Sequence, residues 1–198
     1  FDQFEVNFNF TEANAWQYHF AAAHDVQGQI AVHGGDSAFL QRLDAMFEAP
    51  TQTTGRVQPD ITGLIGQYAH GNEPSHHVSY LASYAGDAAA TASRAHRICR
   101  DFYSDAPDGL CGNEDCGQMS AWYVWSALGM YPVEPGSGQL VLGSPVFSKA
   151  TVWPQGASQP FTLLANGLSD KAHFIQRAQW AKASSSPWNS FVSVEDVK

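Results

Sequence analysis

The feature that most constrains the fold is a change of pattern near residue 137 of this 198-residue chain. Before it, apolar residues recur at helical spacing, and glycine-rich loops separate the segments. After the stretch PGSG (135–138), short apolar runs alternate with Gly, Pro, Asn and Ser, as in antiparallel strands. We therefore predict a mainly α chain with a β-rich tail, divided into residues 1–137 and residues 138–198.

Capping and breaking residues divide the helical part. Thr11 can cap a helix through TEANAWQYHFAAAHDV, and Gly34-Gly35 breaks the chain beyond it. Ser37 is the predicted start of the next helix, SAFLQRLDAMFE. Because the predicted helices follow one another in consecutive pairs, we expect part of a toroid built from helical hairpins.

Further helices are predicted beyond a long loop over residues 50–63. The segment SHHVSYLASYAG should end at Gly86, and Asp87 can cap the alanine-rich helix that follows. The segment GQMSAWYVWSALGMY is apolar nearly all round, which favours an interior helix with Trp122 and Trp125 in the core.

Trp122 and Trp125 are expected to be core residues rather than sugar platforms, and the tryptophans of the tail are expected to be packing residues. The tail tryptophans are Trp153, Trp180 and Trp188. The predicted strands lie within QLVLGS, FSKATVWP, PFTLLAN, HFIQRAQW and SFVSVED.

Charge excludes several classes of function. The formal net charge is −9, and charged residues make up only 15% of the chain. This balance argues against a nucleic-acid groove and against an anionic membrane surface, and it suits a neutral substrate or a cation. We recognise no signal peptide, transmembrane run or lipidation motif. The three cysteines contain no CxxC pair and are expected to be packed thiols.

Two turn-like loops carry acidic residues in a chain otherwise poor in charge: HGNEPSHH (70–77) and LCGNEDCG (110–117). In the first, Pro74 disfavours helical backbone at Glu73 and can open the following helix, so Glu73 lies at a loop-to-helix junction. A helix N-terminus would favour the ionised carboxylate. Burial in an aromatic cleft would hold the proton on.

In the second loop, Glu114 and Asp115 precede an apolar helix. Together they could bind a hard cation through oxygen, or one of them could act as a general base. The plainer alternative is that Asp115 caps the helix and Glu114 is solvated. Carboxylates on two separate loops of an aromatic-rich protein also favour a glycosidase, which needs an acid and an opposing base or nucleophile.

A zinc site is a competing interpretation of the first loop. His70, Glu73, His76 and His77 have the spacing H-x-x-E-x-x-H-H, a set of residue types that zinc accepts. Gly71 and Pro74 make one continuous helix through these histidines unfavourable.

Longer strings are more specific than these patterns. The chain resembles glycoside hydrolase family 92, the calcium-dependent exo-acting α-mannosidases. The strings that carry the resemblance run in order through most of the chain: TEANAWQYHFAAAHDVQG (11–28), HGNEPSHHVSYLASYAG (70–86), PDGLCGNEDCGQMSAWYVWSALGMYPVEPGSG (107–138) and LGSPVFSKATV (142–152).

The resemblance implies a fold and a reaction. Family members look like an N-terminal β-sandwich packed on an (α/α)6 toroid, and they hydrolyse terminal α-mannosidic bonds, often α-1,2, with inversion. Glu73 would be the general acid and Asp115 the general base, with Glu114 as the other candidate. Many members read Gly-Asp-Glu-Asp where this chain has Asn113 in the second position. An inverting pair of carboxyl groups is expected to stand about 6.5–9.5 Å apart.

The resemblance also implies a sugar pocket and a Ca2+ ion. The candidate sugar-binding residues are Glu12, Asn14, Trp16, Gln17, His24, Asn72, His76 and His77. The candidate oxygen ligands of calcium are Glu114, Asn113 and Asn72.

Family members are several-fold longer than this chain. We therefore expect the β-sandwich and the remaining toroid helices to lie elsewhere, on a larger form of the protein or on another chain, and this segment alone to be inactive or nearly so. The expected substrate is a mannose-containing oligosaccharide or glycan, and the expected location is secreted, periplasmic or at the surface of a bacterial cell. The alternatives are another α-mannoside linkage, a mannosyl phosphodiester, or a non-catalytic carbohydrate-binding role.

Overall fold

The computed structural model describes residues 1–169, 171–182 and 190–195. Within them the α-helices all precede residue 128: α1 (Ala15–Tyr18), α2 (Val26–His33), α3 (Asp36–Glu48), α4 (Ala88–Asp101) and α5 (Gln118–Ala127). Three 3₁₀ segments lie between them, Ala23–Asp25, Glu73–Ser75 and Val78–Ala85. In this part of the chain no helix is long and apolar enough to cross a membrane.

The helix predicted over residues 11–26 is wrong in its start and its length. Glu12 has a left-handed backbone with φ +55°, which no helix accepts, so the helix cannot begin at Thr11. Asn14 caps α1 instead, because its side-chain oxygen accepts from the Trp16 and Gln17 amides at 3.0 and 3.3 Å. In return the Asn14 amide donates to Gln17 Oε1 at 2.7 Å, which completes a capping box.

The next two helices follow the predicted breaks closely. Asp25 caps α2 by accepting from the Gly28 amide at 2.8 Å. Gly34 ends α2 in a left-handed conformation, with φ +94°, as expected of a residue without a Cβ. The predicted Ser37 start of α3 is one residue late, since the helix begins at Asp36 after Gly35.

The alanine-rich region is confirmed in outline. Gly86 ends the segment Val78–Ala85, which is a 3₁₀ helix rather than an α-helix. Asp87 caps α4 as predicted, accepting from the Ala90 amide at 2.8 Å. The apolar α5 is interior on one side only. Trp122 is fully buried, whereas Val124 and Trp125 are exposed, so the core placement of Trp125 is wrong for this chain.

Short strand pairs connect the helices and lead into the tail. Strands β1 (Glu5–Val6) and β2 (Thr54–Gly55) pair in parallel. Strand β3 (Leu64–Ile65) pairs with β4 (Tyr68–Ala69), and β5 (Met130–Tyr131) pairs with β6 (Val141–Leu142), both antiparallel.

The tail forms a mixed four-stranded sheet rather than a wholly antiparallel one. Its strands are β7 (Lys149–Val152), β8 (Phe161–Asn166), β9 (Arg177–Lys182) and β10 (Ser190–Glu195), in the order β7-β8-β10-β9. The β7–β8 and β9–β10 pairs are antiparallel, but β8 and β10 run parallel. The division at residues 137 and 138 stays a prediction.

The tryptophans of the tail do not give a packed cluster. Trp153 is 68% exposed, so its predicted packing role is wrong here. Trp180 lies in β9, where only the backbone is described, and Trp188 lies outside the described residues.

The main core surrounds α5 and is unusually aromatic. Trp122, Tyr68 and Tyr80 are fully buried in it. The Tyr80 hydroxyl donates to Ser126 Oγ at 2.8 Å, so a phenol is buried with its polar end satisfied. The core adjoins both acidic loops, because His70 of the first loop packs against Trp122 and α5 directly follows the second loop.

Asn14→Ala is expected to destabilise the protein by about 2–4 kcal/mol, because it removes a helix cap and also leaves the buried Gln67 side chain without a hydrogen-bond partner. Asn14 Nδ2 donates to Gln67 Oε1 at 2.8 Å, with both residues fully buried. Asp87→Ala, which removes only the cap of α4, is the control and should cost about 1 kcal/mol. Denaturant unfolding measures both. Equal costs would show that the buried Asn14 contact contributes nothing.

Candidate functional site

The two acidic loops meet backbone to backbone at a pair of glycines. A Cβ on Gly112 would lie 3.0 Å from the Gly71 carbonyl oxygen, and the φ of Gly112 is +74°. A Cβ on Gly71 would lie 1.9 Å from Thr62 Oγ1. Only glycine fits at these two positions, and this contact sets the carboxylate-bearing residues of the two loops beside each other.

Glu73 begins the 3₁₀ segment Glu73–Ser75, with Pro74 at its second position. The Glu73 side chain is half-buried, and its Oε1 atom is shielded from solvent without a hydrogen-bond partner. Burial is the main cause that raises the pKa of Glu73, against a hydrogen bond within its own residue that lowers it. The sequence left two opposing effects open, and burial outweighs the influence of the short helix.

Asp115, in the second loop, also raises the pKa of Glu73. Its carboxyl group lies within hydrogen-bonding reach of Glu73, and both that hydrogen bond and the charge of Asp115 raise the pKa of Glu73. Asp115 itself is exposed to solvent. An inverting pair needs room for a sugar and a water between its two carboxyl groups.

Backbone strain is concentrated around Glu73. Asp115 has φ +48° and Cys116 has φ +57°, and Gly117 continues the left-handed turn at φ +92°. Among the described residues the other non-glycine with positive φ is Glu12, whose charge also raises the pKa of Glu73. Left-handed backbone at residues other than glycine costs on the order of 1 kcal/mol and occurs preferentially at functional sites. The strained residues here flank the buried acid from two loops.

Glu114 has a different environment from Asp115. Its Oε1 accepts from the Ser120 amide at 3.0 Å, and its Oε2 accepts from Ser120 Oγ at 2.8 Å. Glu114 is exposed, and it is the side chain of Glu114, not that of Asp115, that accepts from an amide in the first turn of α5. The catalytic and metal-ligand roles of Glu114 stay predictions.

The histidines of the first loop hold the loop in place. Tyr103 donates its hydroxyl proton to the Met119 carbonyl at 3.0 Å, so it accepts from His70 Nε2 at 2.7 Å. His70 Nδ1 then accepts from the Tyr68 hydroxyl at 2.8 Å. Burial lowers the pKa of His70, so the ring is neutral. Both ring nitrogens are used by protein partners.

His76 and His77 are anchored in the same way. His76 Nε2 donates to the His70 carbonyl at 3.0 Å, and His76 Nδ1 accepts from Gln118 Nε2 at 3.1 Å. Burial lowers the pKa of His76 to about 4. His77 Nε2 donates to the Phe20 carbonyl at 2.7 Å, and burial lowers its pKa as well. These contacts leave no set of free ring nitrogens for the zinc interpretation.

The residues of the first family-like string, 11–28, lie partly in the protein interior and partly near the acidic loops. Asn14, Trp16 and Gln17 are buried, and Gln17 Nε2 donates to the Gln67 carbonyl at 3.0 Å. These three residues support the fold from within and do not line an open sugar pocket in this chain. His24 is exposed in Ala23–Asp25, on a separate element from the acidic loops.

Glu12 and Asn72 do lie at the carboxyl pair. Asn72 is buried and donates from Nδ2 to the Glu12 carbonyl at 3.1 Å, which ties the first string to the loop of Glu73. The interaction of Glu12 with Glu73 places a third carboxylate near the pair.

The candidate calcium ligands do not form a ready cation site. Glu114 is occupied by Ser120, and Asn113 Nδ2 donates to Asp60 Oδ1 at 3.4 Å. In the part of the chain that the structure describes, no three His, Cys, Asp or Glu residues are grouped so that they could hold a metal ion. Calcium binding by Glu114, Asn113 and Asn72 stays a prediction.

Sequence reasoning missed Gln118 and Ser120 as members of the site. Gln118 fixes His76, and Ser120 fixes Glu114, six residues before it in the chain. Neither contact follows a standard capping spacing, so no local signal predicted it. All three cysteines are free thiols, but only Cys99 is buried; Cys111 is half-buried and Cys116 is exposed, so the prediction of packed thiols is wrong for Cys116.

A groove of about 670 Å³ lies next to this cluster, on the outer side of α5. It is lined by Ser120, Tyr123 and the loop from Tyr103 to Leu110, and not by Glu73 or Asp115. The groove adjoins the cap of α5 and does not define a pocket for the carboxyl pair.

Comparisons with known proteins identify the family. The family model of the glycosyl hydrolase family 92 catalytic domain matches residues 1–198. A curated relative, an uncharacterized secreted glycosidase from Arthroderma benhamiae, is 29% identical over 169 residues, which cover 84% of this chain and 20% of that protein.

Solved structures give the same result. The family GH92 α-mannosidase BT3965 from Bacteroides thetaiotaomicron, solved in complex with mannoimidazole, matches with a TM-score of 0.81 at 32% identity, over 92% of this chain and 25% of that chain. The GH92 inverting mannosidase BT2199 from the same organism matches with a TM-score of 0.79 at 31% identity, over 99% of this chain and 29% of that chain.

These matches confirm the helical fold with short antiparallel strands, and this chain spans less than a third of the length of the relatives. With the family model matching all 198 residues, the chain belongs to glycosyl hydrolase family 92.

Proposed function

We propose that this chain carries the general acid and the general base of an inverting α-mannosidase. Glu73 is the acid and Asp115 is the base. The observation that carries the proposal is the meeting of these two carboxyl groups at the Gly71–Gly112 junction, with the pKa of one raised and the other exposed to solvent. The similarity to two solved mannosidases supports the choice of substrate class.

The environments of the two carboxyl groups suit their roles. Burial raises the pKa of Glu73 and so favours its protonated form, which can pass the proton to the glycosidic oxygen while the bond from C1 to that oxygen breaks. A water on the opposite face attacks C1 and gives its proton to Asp115, which must be ionised to accept it. Entry of the sugar separates the two carboxyl groups and leaves space for that water.

The complete enzyme would include more than this segment. We propose that the helices α1 to α5 form part of an (α/α)6 toroid and that the rest of the toroid and a β-sandwich complete the site. The segment by itself would then be inactive or nearly so. An α-1,2-linked mannoside is the proposed substrate and a secreted location is proposed, in line with a curated relative described as a secreted glycosidase. Another α-mannoside linkage or a mannosyl phosphodiester is the alternative.

Glu73→Gln in the complete enzyme is expected to lower kcat for an α-1,2-mannobiose by about 10²–10⁴-fold, the usual contribution of a general acid. Mannose release measures the loss. Asp108→Asn is the control, because it makes the same acid-to-amide change at an exposed residue. It should leave the rate unchanged. Full activity of Glu73→Gln would rule out Glu73 as the acid.

The same variant should not destabilise the protein at neutral pH. Because the pKa of Glu73 is raised in the folded state, ionising it costs stability as the pH rises above its ordinary value of 4.5. The glutamine removes that cost. The melting temperature of Glu73→Gln relative to the parent should therefore rise between pH 4.5 and pH 8. A relative fall over that range would contradict the buried, protonated acid.

Asp115→Asn is expected to lower the pKa of Glu73, since it removes a like charge that opposes ionisation. Carbon-13 NMR titration of the Glu73 carboxyl carbon measures the shift and needs no turnover. Asp108→Asn again serves as the control and should leave the titration unchanged. An unchanged or higher pKa in Asp115→Asn would show that the two carboxyl groups do not interact.

Calcium dependence stays a prediction of the family resemblance. If it is correct, a calcium chelator should abolish mannose release by the complete enzyme, and added Ca2+ should restore it. Since the described residues do not group into a cation site, the restoring ion would require ligands beyond Glu114 and Asn113. Activity unaffected by exhaustive chelation would show that the calcium prediction is wrong.

A further inference from the structure

We propose that Glu114 is a positioning residue whose paired hydrogen bonds to Ser120 hold Asp115 toward Glu73. The inference deepens the function proposed above and rests on it. It gives Glu114 a role that needs its shape and its acceptors but not its charge.

The start of α5 has no conventional cap. The N-cap position is Gly117, which offers no side chain. The amides of the first turn have no partner within the helix. Gln118 N donates instead to the Asp115 carbonyl at 3.2 Å and Met119 N to the Glu114 carbonyl at 3.3 Å, whereas Ala121 N makes the first intrahelical bond, to the Gly117 carbonyl at 2.9 Å.

The remaining amide, that of Ser120, is the one that a capping side chain ordinarily satisfies. Glu114 reaches it across the left-handed turn of residues 115–117, and accepts from Ser120 Oγ as well. Two hydrogen bonds to the Glu114 carboxylate, one from the Ser120 backbone amide and one from its hydroxyl, join the two ends of the strained turn. The backbone of Asp115 lies between those ends.

This arrangement determines what Asp115 can do. Aspartate just before a helix is among the favoured capping residues, and its carboxylate would ordinarily turn back onto the helix amides. Because Glu114 already satisfies the Ser120 amide, the Asp115 carboxylate is left free to face Glu73. Loss of the Glu114 side chain would open the capping position, and Asp115 is the nearest acceptor to fill it.

Glutamine at position 114 separates this role from a chemical one. Its carbonyl oxygen can accept from the Ser120 amide, and its amide nitrogen can donate to Ser120 Oγ, so both contacts persist without a charge. A general base would instead lose its function on this change, because an amide cannot accept the proton. Alanine at the same position removes both contacts.

The test compares Glu114→Ala, Glu114→Gln and Ser120→Ala in the complete enzyme. Glu114→Ala is expected to lower kcat by about 10²-fold, the lower range for loss of a general base, with KM within about threefold of the parent. Glu114→Gln should keep kcat within about threefold, and Ser120→Ala, which keeps the amide contact, should be intermediate. Asp87→Ala, which removes a cap far along the chain on α4, should lower stability without changing kcat.

A crystal structure of Glu114→Ala gives a readout that does not depend on turnover. The expected result is an Asp115 carboxylate turned onto the Ser120 amide and away from Glu73. An Asp115 that still faces Glu73 would overturn the proposal, and so would a Glu114→Gln as inactive as Glu114→Ala. If the parent enzyme releases no mannose, the proposed function fails, and the crystal structure still decides the positioning role.

Discussion

The site depends on one backbone contact, between the loop of Gly71 and the loop of Gly112. The two loops approach so closely that a Cβ on Gly112 would lie 3.0 Å from the Gly71 carbonyl oxygen. The loops come from distant parts of the chain and share no strand or helix. A larger residue at Gly112 would push the two loops apart, and Glu73 and Asp115 would separate with them. The raised pKa of Glu73 would then lose the contribution of Asp115 and keep only that of burial.

The aromatic core gives this contact a rigid base. Trp122 Nε1 of α5 donates to the His76 carbonyl at 3.0 Å, which joins the helix behind the second loop to the 3₁₀ turn of the first. His70 lies against the face of Trp122, with ring centroids 4.3 Å apart. The histidines whose spacing resembles a metal-ligand set are neutral side chains that hold the loop. His70 and His76 contact Trp122 and Gln118 of α5, and these contacts fix the loop of Glu73 relative to that helix.

The sequence predicted what local chemistry controls. The Asp87 cap, the glycine stops at Gly34 and Gly86 and the change toward strands after α5 follow from residue preferences. It failed where a distant partner decides. Asn14 was predicted to bind sugar, but its partner Gln67, 53 residues away, makes it a buried structural residue. Asp115 and Glu114 are adjacent and chemically alike, and only the contact with Ser120 separates the cap from the carboxylate that faces Glu73.

The central claim is that Glu73 and Asp115 act as acid and base on opposite faces of one sugar. Proton NMR of the mannose first released from an α-1,2-mannobiose by the complete enzyme tests it most directly. Inversion predicts that β-mannose appears first and only later equilibrates with the α anomer. If α-mannose appears first, Asp115 would be a nucleophile in a close retaining pair, and the account would be wrong.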